Sequence, residues 1–198
     1  MNPILCIETG TNTCSVALGY NNVLLDVQES HDPNNNHAKY LTQFIEDILK
    51  RQGIKAKDLA AVAVSKGPGS YTGLRIGVSA AKGICYGANI PLIAVGSLDC
   101  LAQGALAWLA ENKTTFKPDL LCPMIDARRM EVYTQLFDMH LNPIDIVEAK
   151  ILDENSFSEV LNNHKILFFG NGSPKARLVI SSVNSAFIDE FKPSARFM

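Results

Sequence analysis

The sequence predicts a two-lobed α/β protein in which one β-β-β-α-β-α unit is used twice. Three observations predict it. Apolar runs of strand length and amphipathic helical stretches follow in the same order in both halves of the 198-residue chain. The turn Gly67-Pro68-Gly69-Ser70, after the fourth strand of the first half, has a counterpart in Gly170-Asn171-Gly172-Ser173 of the second. An acid, Glu8 in one half and Asp126 in the other, stands where the first strand ends. The lobes are expected over 1–112 and 113–198.

Pro3–Glu8, Cys14–Gly19 and Val23–Gln28 read as strands, the first two joined by Thr9-Gly10-Thr11-Asn12-Thr13, which is rich in turn-forming residues. After a loop over 32–36, Leu41, Phe44, Ile45, Ile48 and Leu49 recur at helical spacing. Glu46–Lys50 and Asp47–Arg51 form i,i+4 pairs on the wet face, and Gly53 ends this helix over 37–52. A strand (Ala60–Ser65), a glycine-rich helix over 71–87, a strand (Pro91–Val95) and a helix capped by Ser97 complete the half. The second half repeats the order. Leu120–Asp126, Glu131–Asp138 and Ile144–Leu152 are strands, followed by a helix around Ser156–Leu161 and a strand, Lys165–Phe169. A helix (Lys175–Ser182) and a short strand (Ala186–Ile188) continue the parallel. By analogy with Ser97–Asn112 a last helix is expected beyond Pro193–Met198, so the second lobe is read as lacking it.

Apolar residues make up 47% and charged residues 19%, the balance of an ordinary globular protein. A net charge of −2, with Lys50–Arg51 and Arg128–Arg129 as isolated basic pairs, gives no electrostatic footprint for nucleic acid. The chain does not open with a basic region and a long apolar run, and no stretch reaches the length of a membrane span. A cytoplasmic protein without membrane association is expected. The five cysteines, odd in number and without a Cys-x-x-Cys pair, are expected to be reduced and buried.

The run Lys66–Gly77 carries the most specific chemistry. Strand, glycine turn and helix start together aim backbone N–H groups at an anion. Neither glycine turn continues into the Gly-Lys-Ser/Thr of a P-loop, however. The helix itself contains Gly73, Gly77 and Gly83, each costing about 1 kcal/mol relative to Ala. Gly73, Gly77 and Ala81 recur at i, i+4, i+8 as a smooth ridge that lets another helix approach closely. The approaching helix is that of 41–49 in the same chain, the equivalent helix of another subunit, or both.

The order of elements resembles the duplicated ribonuclease-H-like fold of actin and the sugar kinases, the ASKHA architecture, whose halves clasp a nucleotide. The string Gly67-Pro68-Gly69-Ser70-Tyr71-Thr72-Gly73-Leu74-Arg75-Ile76-Gly77 is similar to the signature of the bacterial TsaB family. Ile4-Leu5-Cys6-Ile7-Glu8-Thr9 resembles that family's opening strand and turn, where Asp is usual in place of Glu8. Ser79-Ala80-Ala81-Lys82-Gly83, Pro91–Val95, Asp126-Ala127-Arg128-Arg129, Glu131-Val132-Tyr133 and Pro193-Ser194-Ala195 follow in order. The resemblance implies a role in making threonylcarbamoyladenosine in tRNA, as the non-catalytic paralogue that activates TsaD. It implies a heterodimer with TsaD, joined by the TsaE ATPase, a homodimer when TsaD is absent, and tRNA met only through the complex.

No catalytic residue, metal or cofactor is expected of this chain. A metal-binding relative carries His-x-x-x-His on the helix after the third strand; here His37 is followed at that spacing by Leu41, which cannot ligate a metal. His37 then reads as a solvated residue at a helix start. The ancestral nucleotide cleft is expected to be degenerate, marked by Glu8, Thr9, Gly67, Gly69, Asp126, Arg128, Gly170 and Gly172. Where the relative's second hairpin has a glycine-rich turn, this chain has Ala127-Arg128-Arg129-Met130. Arg128 either binds an anion there or pairs with Asp126 or Glu131. The partner surface is expected at Leu41, Phe44, Ile45, Ile48, Thr72, Gly73, Arg75, Ile76, Gly77, Ala80, Ala81 and Ile84. Two rival readings are an independent ATP-binding phosphohydrolase or metallopeptidase of the glycoprotease type, and a purely self-associating structural protein. Metal analysis with an ATP titration separates the first, and a TsaD pull-down the second.

Overall fold

The strands at the middle of each sheet are apolar at nearly every position because they have neighbours on both sides and cover on both faces. The computed structural model describes residues 2–32, 36–189 and 191–198. The chain divides into two compact units, Met1–Cys100 with Pro193–Met198, and Leu101–Lys192. Residues 33–35 of the expected 32–36 loop lie outside the described residues.

In the first unit β1 (Ile4–Glu8), β2 (Cys14–Tyr20) and β3 (Val23–Ser30) form an antiparallel meander, and β4 (Ala61–Ser65) and β5 (Leu92–Val95) add in parallel, giving the order β3-β2-β1-β4-β5. Strand alternation sorts the side chains. Leu5, Ile7, Val16, Leu18, Val62 and Val64 form one core with α1 (His37–Arg51) and α2 (Tyr71–Ala88). Cys6, Ala17 and Ala63 pack on the other face with Ala195. The amphipathic pattern of α1 is realised, with Leu41, Ile45 and Ile48 buried and Lys39, Gln43 and Glu46 exposed. Ser70 caps α2 by accepting from the Gly73 N–H at 3.3 Å, and Asn89, left-handed at φ 54°, ends it.

The last residues dock on this unit through hydrogen bonds. The Ala195 N–H donates to Ser15 Oγ at 2.8 Å, the Cys100 thiol donates to the Ser194 carbonyl at 3.2 Å, and the Ser194 hydroxyl meets Glu29. Ala195–Phe197 form one 3₁₀ turn. The helix α3 (Ser97–Glu111) spans the point at which the units divide.

The second unit contains β6 (Leu120–Asp126), β7 (Glu131–Thr134), β8 (Phe137–Asp138), β9 (Glu148–Ile151), α4 (Ser158–Leu161), β10 (Ile166–Phe169), α5 (Ser173–Val179) and β11 (Ser185–Phe187). Its sheet runs β11-β10-β6-β7-β9, with β8 also on β6. The single strand expected over Glu131–Asp138 is interrupted, and Pro123 explains why. The β6–β7 register (Met124 opposite Thr134) and the β6–β8 register (Leu121 opposite Phe137) are continuous, which puts Gln135 opposite Pro123. Proline has no N–H to offer the ladder. Beside the break, the Leu136 N–H donates to Asp145 Oδ1 and Gln135 Nε2 to the Asp145 carbonyl, at 2.7 Å each. The expected strand Ile144–Leu152 contracts to Glu148–Ile151, because the Ile144 N–H is turned to the Leu136 carbonyl. The helix expected over Lys175–Ser182 begins earlier, at Ser173, with Pro174 in its first turn, where a missing N–H costs nothing.

All five cysteines are free and buried. Burial pushes the thiols of Cys6 up to about 11 and of Cys14 and Cys122 up to about 12, so they stay neutral. Among the described residues no helix is long and apolar enough to cross a membrane.

Candidate functional site

β1 and β4 end side by side. Ile7 stands opposite Val64, so Glu8 and Ser65 follow on one face of the sheet, and Ser97 begins α3 two residues after β5. Glu8 is fully buried. The Gly10 N–H donates to its Oε1 at 2.5 Å. Its Oε2 and the hydroxyls of Ser65 and Ser97, all buried, have no hydrogen-bond partner among the described residues. Ser65 lies near enough to the carboxyl to favour its charged form but outside hydrogen-bonding geometry. A Cβ on Gly10 would come within 2.9 Å of Glu8 Oε1 and 3.3 Å of Ser97 Oγ, so Gly10 separates the Glu8 carboxyl from Ser97. Loss of solvent outweighs the Gly10 hydrogen bond and the nearby Ser65 hydroxyl and raises Glu8 from 4.5 to about 7.

The glycine loop docks directly on this turn. The Ser70 N–H donates to the Gly10 carbonyl at 2.6 Å, the Ser97 N–H to the Gly67 carbonyl at 3.0 Å, and a Cβ on Gly69 would lie 2.2 Å from the Gly10 carbonyl oxygen. The donors at Ser70 and Gly73, which an anion cradle needs, are satisfied inside the protein. Gly67, at φ 102°, makes the turn that brings them there.

Thr9 makes the tightest contact with the glycine ridge, beside the α1 helix expected there. Its Oγ1 donates to the Gly73 carbonyl at 2.8 Å. A Cβ on Gly73 would come within 2.1 Å of the Thr9 carbonyl oxygen, and one on Gly77 within 2.3 Å of Thr9 Oγ1. Gly73 and Gly77 press on Thr9 at the end of β1, a Gly73 Cβ would also come within 3.2 Å of His37 Cδ2 in α1, and Ala81 lies in the core that α1 shares. Leu41, Ile45 and Ile48 are likewise core residues, and Phe44 packs beside them. His37 also departs from expectation. It is 3% exposed, and its Nε2 lies 2.7 Å from the Thr11 carbonyl. That oxygen only accepts, so Nε2 carries the proton.

What α1 and α2 leave open is a groove of about 460 Å³ lined by Ala38, Leu41, Thr42, Tyr71, Thr72, Arg75, Ile76, Ser79 and Ala80. Leu41, Thr72, Arg75, Ile76 and Ala80 are among the residues expected at the partner surface; Ala38, Thr42, Tyr71 and Ser79 escaped the sequence pattern. Ile84 is half-buried outside this lining. Tyr71 is 75% exposed, and the Arg75 guanidinium stands 5.3 Å from its ring centroid, a cation–π pair at the rim.

The second unit repeats the first unit's device with other residues. A Cβ on Gly170 would lie 2.4 Å from the Met124 carbonyl oxygen, and the Gly172 N–H donates to that same oxygen at 3.0 Å. The Asp126 carboxylate accepts from the Arg128 N–H at 2.8 Å and from the Lys175 ammonium, which also donates to the Glu131 carbonyl at 3.1 Å. The pairing expected between the Arg128 side chain and Asp126 or Glu131 is thus made by Lys175; Arg128 meets Asp126 through its backbone. Arg128 and Arg129 are exposed and left-handed, at φ 74° and 44°. Lys175 and Asn171, whose Oδ1 accepts from the Asp126 N–H at 3.0 Å, were missed in the sequence because 45 or more residues separate them from Asp126. Among the described residues no three His, Cys, Asp or Glu side chains converge as a metal set.

Comparison with known proteins agrees with this architecture. The family model described as TsaD, tRNA N6-adenosine threonylcarbamoyltransferase, matches residues 29–187. A Bacillus subtilis protein, "tRNA threonylcarbamoyladenosine biosynthesis protein TsaB", is 31% identical over 186 residues, covering 91% of this chain and 76% of that one. This chain belongs to the TsaB family. The Escherichia coli TsaB is 38% identical over 130 residues, covering 66% of this chain and 52% of that protein, so the chain spans about half the length of that relative. A crystal structure from Pseudomonas aeruginosa, described as similar to peptidase YeaZ, superposes with a TM-score of 0.84 at 24% identity, over 100% of this chain and 88% of that one. It establishes the fold: the duplicated, actin-like α/β architecture expected from the sequence. In TsaB terms, the family's glycine signature is here a clasp between α2 and the end of β1.

Proposed function

We propose that this chain acts in the synthesis of threonylcarbamoyladenosine in tRNA as a non-catalytic subunit that binds and activates TsaD. The observation that carries the reading is a contrast between two regions of the first unit. The polar groups at the end of β1, Glu8, Thr9 and the Ser70 and Gly73 amides, are turned inward and bonded within the protein or sealed from solvent. The groove between α1 and α2 faces outward with an apolar floor and small-residue walls. Such a groove suits an approaching helix, which gains dispersion contacts where side chains are small. The groove, rather than the ridge of Gly73 and Gly77, is the partner surface, with TsaD in the complex and a second copy when TsaD is absent. TsaE joins the pair, tRNA is met through the complex, and the assembly works in the cytoplasm. The two compact units, Met1–Cys100 with Pro193–Met198 and Leu101–Lys192, serve as its two lobes in place of the expected 1–112 and 113–198.

Reconstitution tests this. TsaD and TsaE, supplied with threonylcarbamoyl-adenylate and unmodified tRNA, should form the modified base only when this chain is added. Turnover by this chain alone, or full activity without it, overturns the proposal.

A further inference from the structure

We propose that Glu8, Ser65 and Ser97 form an internal site that takes up one water molecule between the ends of β1, β4 and the start of α3. Three buried polar atoms lack a partner among the described residues: Glu8 Oε2, Ser65 Oγ beside that carboxyl, and Ser97 Oγ across Gly10 from it. Leaving each of them unmade costs about 1–3 kcal/mol, and it is rare for native interiors to tolerate three together. An internal water typically makes about three hydrogen bonds to such groups. Here the count of orphans matches that number.

Chemistry assigns the direction of each bond. Oε1 accepts from the Gly10 N–H and so serves as the carbonyl oxygen. Oε2 then carries the proton and donates to the water, in keeping with a carboxyl raised to about 7 by burial. The water gives its two protons to Ser65 Oγ and Ser97 Oγ. The site is separate from the α1–α2 groove and does not depend on what that groove binds.

Serine-to-alanine variants test it, because the two alternatives have opposite signs. Removing a hydroxyl that is simply unsatisfied relieves a penalty, whereas removing one that holds a water strips that water of a partner. Ser65→Ala and Ser97→Ala should each raise the unfolding constant in urea about fivefold at pH 6. No change, or a lower unfolding constant, overturns the proposal. A crystal structure of the unaltered chain gives an independent reading. It should show a water within about 2.7–3.2 Å of Oε2 and at least one serine hydroxyl. A dry site, or a direct bond from Oε2 to a serine, overturns it whatever the variants do.

Discussion

Thr9 holds the glycine helix in two ways: its hydroxyl donates to the Gly73 carbonyl at 2.8 Å, and its own carbonyl oxygen sits 2.1 Å from where a Gly73 Cβ would be. The closeness and the hydrogen bond come from the same approach of α2 to the end of β1. A methyl group at residue 73 has to push α2 away and stretch that bond. Gly73→Ala should therefore destabilise the chain by about 1–3 kcal/mol in urea unfolding. Gly83 lies on the same helix with nothing within 4 Å of its would-be Cβ. Gly83→Ala should stabilise by about 0.5–1 kcal/mol. Equal effects of the two changes would contradict the clasp.

Glu8 makes stability depend on pH. Its folded value, about 7, lies above its ordinary 4.5, so the native state keeps a proton that the unfolded chain has released across that interval. Stability is full below about pH 4.5 and falls as pH rises through 7, by at most about 3 kcal/mol. The neighbouring titratable groups do not cancel this. Cys14 from β2 and Cys100 from α3 feel its charge, but their thiols are raised and neutral. His37 from α1 is engaged with the Thr11 carbonyl, Lys66 and Asp99 are exposed, and α2 faces the turn with glycines and Leu74. Urea midpoints at pH 5 and pH 8 should differ in the unaltered chain, and Glu8→Gln should flatten that difference. An unchanged slope in the variant refutes the assignment to Glu8.

The Arg128–Arg129 turn is costly for side chains. A left-handed residue other than glycine loses about 1–2 kcal/mol, most for a β-branched one. Because Arg128 meets Asp126 through its N–H, a substitution keeps that bond. Arg128→Gly should be at least as stable as the unaltered chain, and Arg128→Val about 1–2 kcal/mol less stable, as read by thermal unfolding. Equal stability of the glycine and valine variants would mean that the turn relaxes.

Much of this molecule was legible in local pattern. The period of Leu41, Ile45 and Ile48 and the apolar runs of β1 and β4 identify elements whose burial follows from spacing alone. Long-range partners were not. The Gly73–Gly77 ridge announced a close approach but not its partner, since glycine spacing reads the same whether a helix or the end of a strand lies against it. His37 looked wet because a helix start is usually solvated; the Thr11 carbonyl that buries it lies 26 residues away. Pro123 splits its partner strand from across the sheet, beyond what the 131–138 segment itself encodes.

The groove carries the functional account, and a bulky charge in it is the sharpest probe. Ser79 is exposed and Ala80 half-buried, both at its lining and away from the Thr9 clasp, so a substitution there disturbs docking with little effect on folding. The decisive measurement is size-exclusion chromatography with light scattering of this chain mixed with its natural TsaD, alongside Ser79→Arg and Ala80→Arg variants shown to be folded by circular dichroism. The account predicts a one-to-one complex for the unaltered chain and at least a tenfold loss of affinity for the variants, about 1.4 kcal/mol. No complex with the unaltered chain, or an equally stable complex with folded variants, would contradict it.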